Sequence, residues 1–257
     1  MKGFIALLRK EVKEELRTNK VLSVVAMFLF LGLFAPVLAR YLPEFLLDAL
    51  SGTEGVVVEM PDPVSNDALL RYASNISQLG VFITVLISMG AFTKEIESGT
   101  ASLILSKPVS RMAFITSKIV ARGFNLLCGL FLGSLVCFVT TYLLFEDVYI
   151  LGFVGQMALM LMYLLFCLVV TLFFSSFGKH QLAAGGASLI VIIVLSLPFY
   201  SFVPKIGKFF PGGLLSWGNQ LVLSQTGYSG WVTMIVTLLL LVLLVYGSWL
   251  NMRRKEL

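Results

Sequence analysis

Long apolar runs alternate with short polar segments along the chain, and this pattern predicts membrane-spanning helices. A helix crosses the roughly 30 Å of hydrocarbon in a bilayer with about 20 mostly apolar residues. Six runs fit this description, at residues 21–39, 72–93, 123–145, 153–174, 182–197 and 231–250. The predicted fold class is therefore an all-α integral membrane protein, with one transmembrane domain over residues 1–257 and six transmembrane helices.

Residues 1–20 predict an amphipathic interfacial helix ahead of the first span. Phe4, Leu8, Val12 and Leu16 recur every four residues and share one helical face, while Lys and Arg dominate the rest. Such a helix lies in the membrane interface with its apolar side down. A cytosolic helix packed on a partner is the alternative. The long, partly acidic segment before the first apolar run favours an anchor over a cleaved signal peptide.

Two segments are expected on the extracytoplasmic side. Residues 41–71 form a small acidic loop, in which Pro61 and Pro63 argue against regular structure. Residues 198–228 combine several Pro and Gly with many aromatic residues and leucines. This stretch is too broken for a spanning helix and too apolar for an ordinary loop, so it predicts a re-entrant helical segment before span six.

Composition and charge agree with a membrane protein. Only 13% of residues are charged and 58% are hydrophobic, whereas soluble domains carry about 25% charged residues. The net charge of +5 does not form one basic patch, so nucleic acid is not an expected partner. With a cytoplasmic N-terminus, fifteen of the 19 basic residues fall on the cytoplasmic side. The positive-inside rule therefore predicts a multi-pass plasma-membrane protein with both termini in the cytoplasm.

The residues needed for catalysis or nucleotide binding are absent from the sequence. There is no GxxxxGK[ST] motif, and the single His180 cannot form a zinc site by itself. Cys128, Cys137 and Cys167 lie in apolar runs without a CxxC pair, which is typical of buried thiols. All 14 acids fall in loops or terminal segments, which argues against an ion-coupled carrier or an intramembrane protease. We predict no enzyme, and no cofactor or metal bound by this chain.

The segment 94–111, between spans two and three, has the punctuation of a short helix set between two longer ones. Gly99 can end the helix that precedes it, because Gly is favoured just past a helix end. Thr100 can cap a short helix, which Pro108 ends because the residue before Pro disfavours helix. Ser110 can cap the next helix.

This short helix would lie at the cytoplasmic face and present an apolar surface with a charged rim. Its centre is formed by Leu103, Ile104 and Leu105. The residues around it are Glu95, Glu97, Lys107 and Arg111. An apolar centre with a mixed-charge rim suits docking into the groove of a partner. The alternative is an ordinary cytoplasmic turn whose leucines fold back into lipid.

These residues resemble a known family signature. The pattern Glu95-x-Glu97-x-Gly99-Thr100, a leucine-containing stretch, Pro108-Val-Ser-Arg111 and Phe114-x-x-x-Lys118 is similar to the cytoplasmic signature of the ABC type-2 transporter permeases. The similarity extends over the chain. It includes a basic N-terminal helix with Glu11 in a Lys-Glu context, six spans, and a Gly/Pro-rich outer segment before the last span.

The resemblance implies the membrane subunit of an ATP-driven exporter. Such a subunit pairs with a second permease copy, as a homodimer or with a paralogue, and with two cytoplasmic ATPases that bind ATP and Mg. The substrate path lies between the copies. The short helix becomes the coupling helix, and the implied docking residues are Glu95, Glu97, Gly99, Thr100, Leu103, Leu105, Pro108 and Arg111. The re-entrant segment becomes the external gate, with Pro198, Pro204, Pro211, Gly212 and Gly213.

Other functions remain open at this point. A membrane anchor or regulatory scaffold that recruits a cytoplasmic partner explains the docking surface equally well, but explains the 198–228 segment poorly. A lipid-acting enzyme lacks a catalytic constellation. Apolar spans without charge favour an amphipathic peptide, lipid or drug as substrate, while a Na⁺- or copper-related role stays open. The choice of homodimer or heterodimer, an external partner for residues 41–71, and the subgroup also stay open.

Overall fold

The computed structural model describes residues 2–50, 62–106, 109–145, 147–177, 180–196, 207–225 and 230–254. Within these ranges all regular structure is helical, as the apolar pattern predicts. The elements in chain order are α1 (Lys2–Arg17), α2 (Lys20–Leu50), α3 (Ser65–Asn75), a π-helical turn (Ile76–Gly80), α4 (Val81–Ser88), α5 (Thr93–Glu97), α6 (Thr100–Leu105), α7 (Arg111–Phe145), α8 (Ile150–Phe177), α9 (Gln181–Ser196), α10 (Gly213–Val222) and α11 (Trp231–Arg254).

Among the residues that the structure describes, five helical stretches are long and apolar enough to cross a membrane. They are Lys20–Phe45, Ser65–Glu97, Arg111–Phe145, Ile150–Phe177 and Trp231–Arg253. The remaining predicted span, at 182–197, coincides with α9. This helix has 16 residues, which at 1.5 Å per residue reach about 24 Å, short of the hydrocarbon thickness. The structure thus supports five candidate spans, and a sixth stays a prediction.

The ends of the first two spans differ from the sequence prediction. Helix α2 continues to Leu50 and α3 begins at Ser65, so much of the stretch 41–71 is helical rather than loop. Pro36 and Pro43 lie inside α2. A membrane helix tolerates such prolines because unwinding would expose more backbone groups to hydrocarbon than the proline itself leaves unpaired.

Helices α2 and α7 approach most closely where two glycines face each other. A Cβ added at Gly32 would lie 2.2 Å from the carbonyl oxygen of Gly133. A Cβ at Gly133 would lie 2.6 Å from the carbonyl oxygen of Phe28. Small residues let membrane helices bring their backbones together, and the close van der Waals packing that results stabilises the pair. This glycine crossing fixes α7 against the first span.

Helix α8 forms the centre of the bundle. In its most apolar 18-residue stretch, 67% of the residues are buried, compared with 33% for α7 and 17% for α11. Helices α4, α7, α9, α10 and α11 all pack on it. Helix α10 lies close to α8 because both offer glycines: a Cβ at Gly152 would meet the carbonyl oxygen of Leu221 at 2.5 Å. The outer helices therefore carry most of the exposed apolar surface.

Candidate functional site

The buried face of α1 is acidic. Leu7, Glu11 and Glu15 follow one another at intervals of four residues, and Glu11 and Glu15 are only 1% and 2% exposed. Val12 and Leu16 are exposed and remain available to lipid. The helical pattern alone did not assign contacts to these two glutamates. They turn towards the protein because α7 offers them opposite charge.

Helix α7 supplies the partners from three positions on one face. Lys118, Arg122 and Asn125 are at most 3% exposed. Lys118 Nζ lies 2.9 Å from Glu11 Oε1, and Arg122 Nη1 lies 3.4 Å from Glu11 Oε2. Asn125 Nδ2 donates to Glu15 Oε2 at 3.1 Å. Arg122 Nε lies 3.7 Å from Glu15 Oε1, an ion pair without a hydrogen bond.

Glu95 joins α5 to the same group. Its Oε2 lies 2.8 Å from Lys118 Nζ, and its Oε1 accepts a hydrogen bond from Lys10 Nζ. Lys10 Nζ also lies 3.1 Å from Glu11 Oε1. We call this set of residues the ion cluster: Lys10, Glu11, Glu15, Glu95, Lys118 and Arg122. It contains three carboxylates and three cations, and buried charges are tolerated when they are paired in this way.

Two aromatic rings close one side of the ion cluster. Lys118 Nζ lies 5.0 Å from the ring centroid of Phe114 and 5.7 Å from that of Phe92. The two rings pack on each other at 5.6 Å. The rings exclude water from the ammonium group of Lys118, and their π faces attract its positive charge. Lys118 therefore holds α1, α5 and α7 together from one buried position.

The surroundings shift the ionisation of the α1 glutamates in opposite directions. Burial opposes ionisation of Glu11, but Lys118 and Arg122 outweigh it and lower the pKa of this carboxyl to about 2. For Glu15 burial is the stronger influence, so its pKa is raised although Arg122 and Asn125 favour the charged form. Burial also disfavours the charged form of Lys10, yet hydrogen bonding to Glu95 and the charge of Glu11 raise its pKa. Glu11 is thus held as an anion, whereas the surroundings of Glu15 favour its protonated form.

Replacing Glu15 with glutamine is expected to stabilise the protein, and more so as the pH rises. The folded-state pKa of Glu15 is raised, so folding penalises the ionised form. The penalty is fully present above the raised pKa and vanishes below the unfolded value of about 4.5. The difference in thermal unfolding midpoint between E15Q and the native chain should therefore shrink as the pH falls from 8 to 5. A difference that grows on acidification would contradict the assignment.

A metal ion is not needed to explain the carboxylates. Single oxygens of Glu11, Glu14 and Glu95 lie within 4.8 Å of one another. The ammonium of Lys10 lies within 3.5 Å of Glu11 and of Glu14, and it is hydrogen-bonded to Glu95. A divalent cation would have to displace this ammonium. The donor set therefore fits the lysine already present.

A short helix begins immediately after the ion cluster. Gly99 has a φ of 69° and is the N-cap of α6, a left-handed conformation in which glycine has no steric penalty. Thr100 is thus the first helical residue rather than the cap, and its hydroxyl donates to the carbonyl of Glu95 at 3.3 Å. Ser110 accepts from the amide of Ala113 at 3.1 Å, as expected of the cap of α7.

The residues that the resemblance assigned to docking fall into three groups. Glu97, Gly99 and Thr100 are exposed, and Leu103 is 69% exposed while Ala101 beside it is buried. Two others point into the protein: Glu95 belongs to the ion cluster, and the guanidinium of Arg111 donates to the carbonyl of Met252 in α11. The last two, Pro108 and the side chain of Leu105, lie outside the described residues. Leu103 is the apolar centre of what remains exposed.

Three of the residues assigned to an external gate lie at the opposite end of the bundle. Pro211, Gly212 and Gly213 are buried at the start of α10. The amide of Gly212 donates to the carbonyl of Leu195 at 3.2 Å, and a Cβ there would lie 2.7 Å from the carbonyl oxygen of Ser196. The start of α10 is therefore held against the end of α9. Pro198 and Pro204 lie outside the described residues.

The ion cluster was not predicted from the sequence. The signal that could have found it is a pair of matching spacings. Acids stand at positions 11 and 15, and cations at 118 and 122, each four residues apart. Residues four apart share a helical face, so two such helices can align their charges.

The sequence of this chain is similar to known transmembrane proteins. Residues 5–256 match the family of ABC-2 family transporter proteins. The chain is also 23% identical, over 258 aligned positions, to the Uncharacterized transmembrane protein YxlG of Bacillus subtilis (strain 168). That alignment covers 100% of this chain and 99% of the relative. The similarity therefore extends over the whole length of the chain.

Proposed function

Because the chain belongs to the ABC-2 transporter family, whose membrane components lack an ATPase site of their own and associate with ATPase subunits, we propose that it is the permease subunit of an ATP-driven exporter. Two cytoplasmic ATPases bind ATP and Mg, and this chain receives their motion at α6. A second copy of the chain completes the substrate path. The cargo is an amphipathic molecule, which fits spans rich in Phe, Leu and Met.

The observation that carries this proposal is the position of the ion cluster directly before α6. Glu95 binds Lys118 of α7 and Lys10 of α1. Thr100, the first residue of α6, is hydrogen-bonded to the backbone of the same Glu95. A displacement of α6 must therefore move the cluster and with it the first turns of α7. A loop that merely connected two spans would not need a buried, charge-balanced attachment to two other helices.

The same proposal fixes the topology. The ion cluster and α6 lie on the cytoplasmic side, together with both termini, as the distribution of basic residues favours. Helix α9 then serves as a fifth span and α11 as the sixth. Helix α10 has 10 residues, about 15 Å in length, and lies as a re-entrant gate on the external side.

Leu103→Asp should abolish binding of the partner ATPase. An aspartate in the apolar centre of a docking surface leaves a desolvated charge without a partner, which costs a binding interface several kcal/mol. The measurement is co-purification of the partner ATPase, together with ATP turnover in the reconstituted complex. Asn19→Asp, in the connection between α1 and α2, places the same charge elsewhere on the chain and should leave both readouts unchanged.

The outcomes separate the two function classes. Intact binding and turnover in Leu103→Asp would overturn the docking role of α6. Suppose that Leu103→Asp loses ATPase binding while ATP turnover in the native complex responds to no candidate cargo. This result would favour the anchor or scaffold function instead. An adjacent reading frame with a GxxxxGK[ST] motif is the first thing to look for, because the exporter requires it.

A further inference from the structure

The exposed face of the second candidate span changes character along its length. In α3 and the π-helical turn the exposed residues include Asp67, Arg71, Ser74 and Gln78. These lie at spacings of four, three and four, which keeps them on one helical face. We call them the polar stripe. From the π-helical turn onwards the exposed residues Leu79, Phe82 and Leu86 are apolar.

Ser74 and Gln78, the members of the polar stripe that lie furthest along this 33-residue candidate span, need an explanation. Exposed charged and amide side chains do not face acyl chains; within spans they face a water-filled cavity or another protein surface. The apolar continuation towards the ion cluster shows where the same face can meet lipid. The change occurs at Ile76–Gly80, and π-helical turns in otherwise α-helical spans are frequent at functional sites.

Two cavities flank this part of α3 and share Ser74. One, of about 560 Å³, lies between α3 and the end of α2 and is lined by Asp67 and Arg71 among others. The second, of about 380 Å³, lies beneath the start of α10. Its polar lining consists of Ser74, Ser77, Ser196, Ser216 and Asn219. Among the described residues that line this second cavity none is charged.

One buried amide oxygen behind the second cavity has no hydrogen-bond partner among the described residues. Asn219 Oδ1 accepts from Gln156 Nε2 at 3.0 Å. Gln156 is only 2% exposed, and its Oε1 has no hydrogen-bond partner among the described residues. Buried amide oxygens are rarely left unpaired without a reason. Apolar neighbours, Met160 and Leu215, complete the lining.

We propose that the 380 Å³ cavity binds the uncharged, hydrogen-bonding head group of an amphiphile whose tail lies along Leu79, Phe82 and Leu86. This inference rests on the proposed transport function and names the class of its cargo. Hydroxyl and amide linings pair with hydroxyl or amide head groups, whereas a net charge would enter without a counter-charge. The order of polar and apolar surface along α3 matches the order of head and tail.

Cysteine accessibility tests this inference without the ATPase. Ser74→Cys, Ser77→Cys and Gln78→Cys are compared with Phe82→Cys in lipid nanodiscs, using a charged methanethiosulfonate reagent and the native chain as background. We expect the three polar positions to react about a hundredfold faster than Phe82→Cys, the ratio implied by excluding a charged reagent from hydrocarbon. Octyl glucoside below its micellar concentration should then slow the reaction of Ser77→Cys. Octyl sulfate and octyl trimethylammonium should not.

Each result decides the proposal. Slow reaction at all three polar positions, or rapid disulfide formation between copies at Ser74→Cys, would mean that another surface covers the stripe and would overturn it. Equal protection by the three amphiphiles, or protection by none, would also overturn it. Because no ATPase is present, failure here is distinct from failure of the docking experiment, and the transport function can stand without this inference.

Discussion

A Glu11→Gln variant is expected to lose about 3–5 kcal/mol of unfolding free energy, the cost of breaking a buried ion pair by removing one partner. Lys118 and Arg122 are each 1% exposed, so water cannot replace the lost carboxylate. The thiols of Cys137 and Cys167 are fully buried and provide a probe. Their reaction with a fluorogenic reagent during heating reports unfolding, and the midpoint should fall well below that of the native chain.

Two further variants separate charge from packing. Glu14 is 40% exposed and lies 3.5 Å from Lys10, and such surface pairs contribute about 0–1 kcal/mol. Glu14→Gln should therefore unfold close to the native midpoint. Combining Glu11→Gln with Lys118→Met restores the charge balance, so the double variant should be more stable than the sum of its single changes predicts. Additive losses would show that the cluster acts through shape rather than charge.

The second large effect is expected at the glycine crossing. In Gly133→Ala the new methyl group would lie 2.6 Å from the carbonyl oxygen of Phe28 and 2.7 Å from the hydroxyl of Tyr72. Backbone cannot move aside as a side chain can, so α2 and α7 must separate. Overpacking of this kind costs about 1–3 kcal/mol and occasionally more. The thermal unfolding midpoint of Gly133→Ala should be lower than that of the native chain. The midpoint of the separate variant Gly32→Ala should be lower still, because its Cβ would lie 2.2 Å from the carbonyl oxygen of Gly133.

The matched control is the same substitution where space is free. A Cβ at Gly186 in α9 has no heavy atom within 4 Å, and alanine is the better helix former by up to about 1 kcal/mol. Gly186→Ala should therefore match or exceed the native midpoint. If Gly133→Ala behaved like Gly186→Ala, the close approach of α2 and α7 would not be a feature of the protein in its membrane.

The apolar runs predicted most helices because a membrane span is specified locally: a stretch such as 153–174 satisfies its backbone internally and needs no partner. Helix ends were less predictable. In a water-exposed segment, Pro43 would be expected to end the helix. Inside the bundle, α2 continues past it. The ion cluster depends on α1 and α7, which are more than 100 residues apart, and no local pattern states that two distant charge pairs will meet.

The boundaries of the short helix were predictable because the residues that set them act locally. Gly99 acts through its own φ of 69°, and Ser110 through the amide three residues on. Neither depends on a distant segment. Glu95 was not predictable in this way. Its position near Gly99 suggested a residue on the charged rim, yet its carboxylate turns inward because it pairs with the ammonium groups of Lys118 and Lys10.

The glycine crossing makes α7 a lever with a fixed pivot. Two backbones that touch through glycines can tilt about the contact with little rearrangement of side chains. From Gly133 to Lys118, the first residue of α7 in the ion cluster, the helix measures about 23 Å; to Phe145 it measures about 18 Å, at 1.5 Å per residue. If α7 tilts about this contact, a displacement of Lys118 would therefore appear at the far end reversed in direction and reduced by about one fifth.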